Sequence, residues 1–279
     1  MRLAAITAAT VLLTAGTAFA GGLFDDADCR YKSARRVAMP TAGVSRVVIH
    51  ADSGSLKVDG TPGVTQIVAA GQACTSDDDF LDRMTLTARR SGSDLHITAE
   101  IPDKTVIFGW FSARLDFAVT LPAGMPVVIE DDSGWMKVSN VGTTTIDDDS
   151  GSIEVKNVRG NLTIHDDSGP IEIDGVTGNV EVEDDSGELT IKNVTGSVEI
   201  EDDSGAITVA RVNGSLRIRN DDSGSIVVQN VKRDVTIDED GSGSIEVADV
   251  GGNFTVRHKS SGGIDYTRVA GTVRIPERD

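Results

Sequence analysis

The side chains in this sequence that could do chemistry are aspartates. The quartet Asp-Asp-Ser-Gly stands at 131–134, 148–151, 166–169, 184–187, 202–205 and 221–224, so the copies recur every 17 to 19 residues. Paired carboxylates can hold a divalent cation, share a proton for acid–base catalysis, or simply turn a corner. Cation binding would draw on Asp148, Asp149, Asp166, Asp167, Asp184, Asp185, Asp202 and Asp203, because calcium prefers carboxylate and carbonyl oxygen. Asp-Ser-Gly after an apolar strand also resembles the aspartic-protease signature. That chemistry needs two copies from two lobes, and six copies at one edge do not fit it. His50, His96, His165 and His258 are scattered and accompany no evident nucleophile or metal set. The sequence therefore assigns no catalytic residue, no cofactor and no definite metal site. Asp and Ser can also bond their own backbone in a turn, while Gly supplies positive φ, so the corner reading comes first.

The segments between the quartets show what is being turned. Cut before each such Gly, the chain from Gly134 onward falls into eight units, for example GSIEVKNVRGNLTIHDDS and GELTIKNVTGSVEIEDDS. Each unit carries two short alternating runs, the mark of half-buried strands. Ile153, Val155, Val158, Leu162 and Ile164 form one apolar set, and later units repeat it. Five side chains are too few for a unit to fold alone, so the units must share a core.

A meander of hairpins would permit this spacing. Near-identity of the units favours a β-solenoid instead, where each coil of about 18 residues lies on the last and like meets like about 4.8 Å away. The expected fold is thus all-β, with Asn140, Asn157, Asn193 and Asn230 as a corner column. A second glycine column, from Gly160 to Gly271, is broken by Arg233, so that corner need not demand positive φ. Stacked carboxylates repel. The ladder then needs backbone donors, raised pKa values or a bound cation.

Residues 126–279 are read as the regular solenoid and 21–125 as an irregular, β-rich cap region. Within the latter, 44–70 already follow the coil grammar. Residues 107–111, IFGWF, are the densest aromatic cluster in a chain that is 4% aromatic. Phe108, Trp110 and Phe111, with an outward-pointing Trp135, would either cover the open end of the rod or offer a partner contact. Residues 1–20 have the charged start, apolar run and Ala-Phe-Ala ending of a secretory signal, which predicts a periplasmic or secreted protein without a membrane span. Export makes a disulfide the expected state of the two cysteines, Cys29 and Cys74, with two free thiols as the alternative. A net charge of −18 argues against nucleic acid as a partner.

The approach VTLPAGMPVVIEDDSG, followed by repeats such as GSIEVKNVRGNLTIHDDSG, resembles the bacterial "putative adhesin" family, a β-solenoid domain of envelope proteins. The resemblance runs from about Val47 onward. It implies adhesion, scaffolding or envelope-stress sensing through a protein or cell-surface component, and it transfers no catalytic residue. A non-enzymatic envelope solenoid is therefore the first expectation. A Ca²⁺-responsive acidic module comes second, and a polysaccharide-acting β-helix enzyme is a distant third.

Overall fold

The computed structural model describes residues 29–102 and 111–276. The leader-like residues 1–20, Phe108 and Trp110 lie outside the described residues. The chain forms a β-solenoid of stacked coils, each contributing one strand to each of two parallel sheets. One face contains the strands Val127–Asp131, Thr144–Asp148 and Leu162–Asp166 in register, with Ile129, Ile146 and Ile164 in one file. The other stacks Gly134–Ser139, Gly151–Val158 and Ile171–Val176. Val180–Val194 and Val198–Val212 pass around the quartet corner as unbroken strands and pair along nearly their whole length. Ile153, Ile171, Leu189, Ile207, Ile226, Ile245 and Ile264 form one continuous column. All but Ile264 are buried.

The stack does not begin at residue 126. Strands Arg46–His50 and Leu56–Thr61 form a coil in parallel register with Val127–Asp131 and Gly134–Ser139. Beyond it, Asp94–Glu100 and Ala113–Pro122 form a further parallel layer. There the pairing changes sense. Asp94–Glu100 pairs antiparallel with Thr85–Ser91, Ala113–Pro122 with Gln66–Thr75, and that strand with Tyr31–Pro40. The antiparallel strands give the parallel stack a different end. The outer strand carries Lys32, Arg35, Arg36 and Pro40, residue types that discourage edge-to-edge pairing. Arg35 fastens it inward by donating to the carbonyls of Met84 and Leu81 at 2.8 and 2.7 Å. A disulfide joins Cys29 to Cys74 across the same pairing.

The two corners are built differently. At the quartet corner the Gly column takes positive φ, from +135° at Gly134 to +156° at Gly187. At the other corner the positive φ falls on Asn140, Asn157, Asn193 and Asn230, and also on Arg211, Asp249 and Arg268. Gly178 and Gly196 have ordinary φ and are small for another reason: a Cβ would come within about 2.5 Å of the preceding coil's backbone. Ser of the quartet was expected to bond within its own turn. Its hydroxyl instead reaches the previous coil, as Ser186 and Ser204 do to the carbonyls of Asp167 and Asp185 at 3.3 and 3.2 Å.

Gly151 combines φ +138° with a Cβ position 1.7 Å from the Gly134 carbonyl oxygen. Gly151→Ala is expected to cost at least about 2–3 kcal/mol in urea unfolding. Gly263→Ala, with open space around its Cβ, should stay within about 1 kcal/mol of wild type.

Candidate functional site: a buried aspartate column

The structure divides every Asp-Asp pair. Strand alternation along Leu162, Ile164 and Asp166 carries the first aspartate of each corner into the interior, and the second stays outside. Asp131, Asp148, Asp166, Asp184, Asp202, Asp221 and Asp240 are each at most 4% exposed. The first five are consecutive register partners, Asp221 follows Asp202, and Asp240 pairs with Lys259. Seven carboxyl groups therefore stand in a single file inside the stack. Asp132, Asp149, Asp167, Asp185, Asp203 and Asp222 point outward.

Few donors face the file. Ser186 N–H donates to Asp184 Oδ1 and Ser204 N–H to Asp202 Oδ1, both at 3.1 Å. Both carboxyl oxygens of Asp131, Asp148, Asp166 and Asp221 lack a well-formed hydrogen bond, as does one oxygen each of Asp184, Asp202 and Asp240, although the nearby backbone N–H groups of Ser133, Ser150, Ser168 and Ser223 still pull the first four part of the way back. Loss of water penalises the charged form, and charges one coil away add to it. Burial, then the charges of Asp148 and Asp132, pushes Asp131 up to about 7. Burial, then Asp148 and Asp184, pushes Asp166 up to about 7. Asp202 and Asp221 reach about 7 by the same causes, and Asp148 and Asp184 about 6.

Such groups are weak acids that hold protons near neutrality, so neighbouring carboxyls can bond one another as acid and anion. Calcium coordination asks for six to eight oxygens. The vertical file offers a different geometry. Among the described residues, the one cluster of three possible ligand side chains within 4.8 Å of one another is Asp77, Asp78 and Asp79. Asp77 already caps the short helix Asp78–Leu81 by accepting from Asp79 N–H. The weak metal candidates among the corners are therefore split into an inner file and an outer one.

The aromatic candidates also separate. Phe111 packs edge-on against Phe80 of that helix, with centroids 4.9 Å apart, and so belongs to the antiparallel end region. It also borders an open cavity of about 540 Å³ lined by Asp52, Cys74, Ile101 and Arg114. Trp135 stands on the rod itself, in register with Ser152 and 38% exposed.

Reading the quartet by residue type as a corner motif missed the buried file. The signal was present in the alternation: Val127, Ile129 and Asp131 occupy every second position of one strand.

A raised folded-state pKa means that the fold binds protons the unfolded chain releases near pH 4. The stability these groups contribute is complete below about pH 4 and is lost as pH rises toward 7. Urea midpoints should therefore fall between pH 5 and pH 7.5. Asp166→Asn should raise stability at pH 7.5 by about 1–2 kcal/mol and change it little at pH 4. A wild-type midpoint that rises over this range would contradict the protonated file.

The Toastrack DUF4097 family model matches residues 79–275. No curated protein matches the chain. Among solved structures, a putative cell adhesion protein from Clostridium sporogenes aligns at 10% identity and TM-score 0.32, covering 88% of this chain and 99% of its own. A putative adhesin from Bacteroides fragilis aligns at 12% identity and TM-score 0.36, covering 88% and 97%. Another from Parabacteroides distasonis aligns at 13% identity and TM-score 0.38, with the same coverage. With the family model spanning most of the solenoid and its end region, the chain belongs to the Toastrack family.

Proposed function

We propose that the protein is an exported, non-catalytic envelope solenoid that offers one long acidic face to a basic protein or cell-surface component. The leader-like pattern of residues 1–20 and the Cys29–Cys74 disulfide support export. The divided corners support a non-catalytic reading. Each Asp-Asp pair sends one carboxyl inward and one outward, so among the described residues no such pair converges on an open cleft as hydrolytic acid–base work requires.

The observation that carries the binding reading is the outward file of the first sheet. Glu130, Asp147, His165, Glu183 and Glu201 are successive register partners, with Glu181 and Glu199 paired beside them. Rigid backbone stacking holds these charges at coil spacing, which leaves little to order on binding. Arg219 shows what such a face receives: its guanidinium lies within 3.3 Å of Glu183, Glu199 and Glu201 and within 4.0 Å of Glu181. Further along the file Asp147 and Glu130 continue the coil spacing, Glu130 beside His50 at 2.7 Å, and these are the positions a partner's basic group would meet.

Cell fractionation and envelope-retention assays test this reading. The full chain is expected in the periplasm or medium, and purified protein should be retained on envelope fractions. Glu130→Lys with Asp147→Lys should weaken retention at least about tenfold at low salt, while Trp135→Ser tests the aromatic contact separately. Cytoplasmic accumulation, retention unaffected by charge reversal, or hydrolysis of envelope glycans by the purified chain would overturn it.

A further inference from the structure

The buried file ends in three residues of unusual chemistry. Asp221, Asp240 and Lys259 occupy three successive coils at one inward position, and Lys259 stands where the earlier coils have aspartate. The Lys259 and Asp240 side chains are 5% and 1% exposed, and Asp221 is fully buried. Lys259 Nζ touches Asp240 Oδ2 and donates to the Gly243 carbonyl at 3.0 Å. Asp240 Oδ1 and both Asp221 oxygens lack a well-formed hydrogen bond, with the Ser223 N–H near Asp221. The adjacent inward positions in the same strands are Ile218, Ile237 and Val256, all buried. An amine, a carboxyl and a second carboxyl are thus held together among aliphatic side chains.

We propose that Lys259 and Asp240 condense into an intramolecular isopeptide bond, with Asp221 carrying the proton between them. In water an ammonium and a carboxylate do not condense, because the amine is protonated and the carboxylate is a poor electrophile. Here water is excluded, and Lys259 Nζ already touches the carboxyl it would attack, so the two groups can pass a proton directly between them. Proton transfer within the pair gives the free amine of Lys259 and the carboxylic acid of Asp240. Nζ then attacks Cγ. The Nζ–Cγ bond forms, the Cγ–O bond to the hydroxyl breaks, and that hydroxyl takes a proton from Asp221 and leaves as water. The nitrogen gives up one proton, which restores Asp221. No oxidant or co-reactant is consumed. Asp221 suits the shuttle: burial, then the charge of Asp240, pushes it up to about 7, so it holds a proton near neutral pH.

The bond would tie two successive coils together at the end of the rod opposite the disulfide. There Ile264, Val269 and Val273 are only partly buried. A cross-link here would oppose fraying in the same way that the Cys29–Cys74 bridge does at the other end.

Tryptic mapping of the full-length purified protein by mass spectrometry, after reduction of the disulfide, decides the question. The expected product is a branched peptide that joins 234–257 through Asp240 to 258–268 and is lighter than the two together by one extra water. Cleavage after Lys259 should be lost, since an acylated lysine is not a trypsin site. Lys259→Arg keeps a cation in place and should give only linear peptides. Asp221→Asn should reduce the branched product at least tenfold. Unmodified 234–257 together with free His258-Lys259 from wild type would overturn the proposal. So would a linear 234–257 lighter by one water, the cyclic imide of Asp240-Gly241. Undiminished branching in Asp221→Asn would overturn the role given to Asp221.

Discussion

Parallel, in-register stacking is the constraint from which the rest of this molecule follows. Each coil owns five or so inward aliphatic side chains and a ring of backbone groups, and neither is satisfied within the coil. Ile171 covers Ile153 and is covered by Leu189, while the backbone amide of Val180 finds its acceptor on Ser197 and that of Val198 on Ser215. Burial and hydrogen bonding therefore arrive together, one layer at a time, and stability is a sum of interfaces between neighbours. The same constraint explains the corners. Where coils pass within hydrogen-bonding distance at a turn, a side chain either stitches them or cannot fit. Asn179 Oδ1 accepts from Ser197 N–H at 3.0 Å, whereas Gly178 leaves no room for a Cβ.

Stacking multiplies whatever one coil contains. An aliphatic slot repeated eight times becomes a continuous core, and an inward aspartate repeated seven times becomes a buried acid. One such group would be a tolerable defect. Seven in file form a system in which each carboxyl sees its neighbours' charges through a dry interior, and protons are the available neutralising charge over most of its length. Lys259 closes the file with an amine at the position where the earlier coils have a carboxyl. Buried ionic groups of this kind do not maximise stability. Register is held by the alternation as a whole, because a slip of one residue would turn the inward isoleucines and valines into water and bring the outer Glu and Thr positions into the core.

The outer surface inherits the same regularity. Glu183 and Glu201 lie one above the other because Val182 and Ile200 do beneath them. A solenoid of this family thus gains a long, uniformly spaced charged face without separate design, and the face is as rigid as the core that spaces it.

The one-dimensional pattern determined a good deal here. Inward Ile, Val and Leu at fixed offsets specify strands, coil length and the like-on-like columns, because alternation and period are properties of the sequence itself. The Asn column was legible too, since Asn tolerates the left-handed conformation. Arg211, Asp249 and Arg268 adopt the same positive φ, imposed by the stack on residues that would not choose it. Three matters were decided only by the tertiary structure. The coil at 46–61 lies between the layer 94–122 and the regular coils, an order that chain sequence does not contain. The first aspartate of each quartet is interior, because strand alternation outweighs the solvation preference of a single residue type. And Lys259 faces Asp240 because a separation of nineteen residues closes one full turn, so two positions distant along the chain become nearest neighbours in a place that water does not reach.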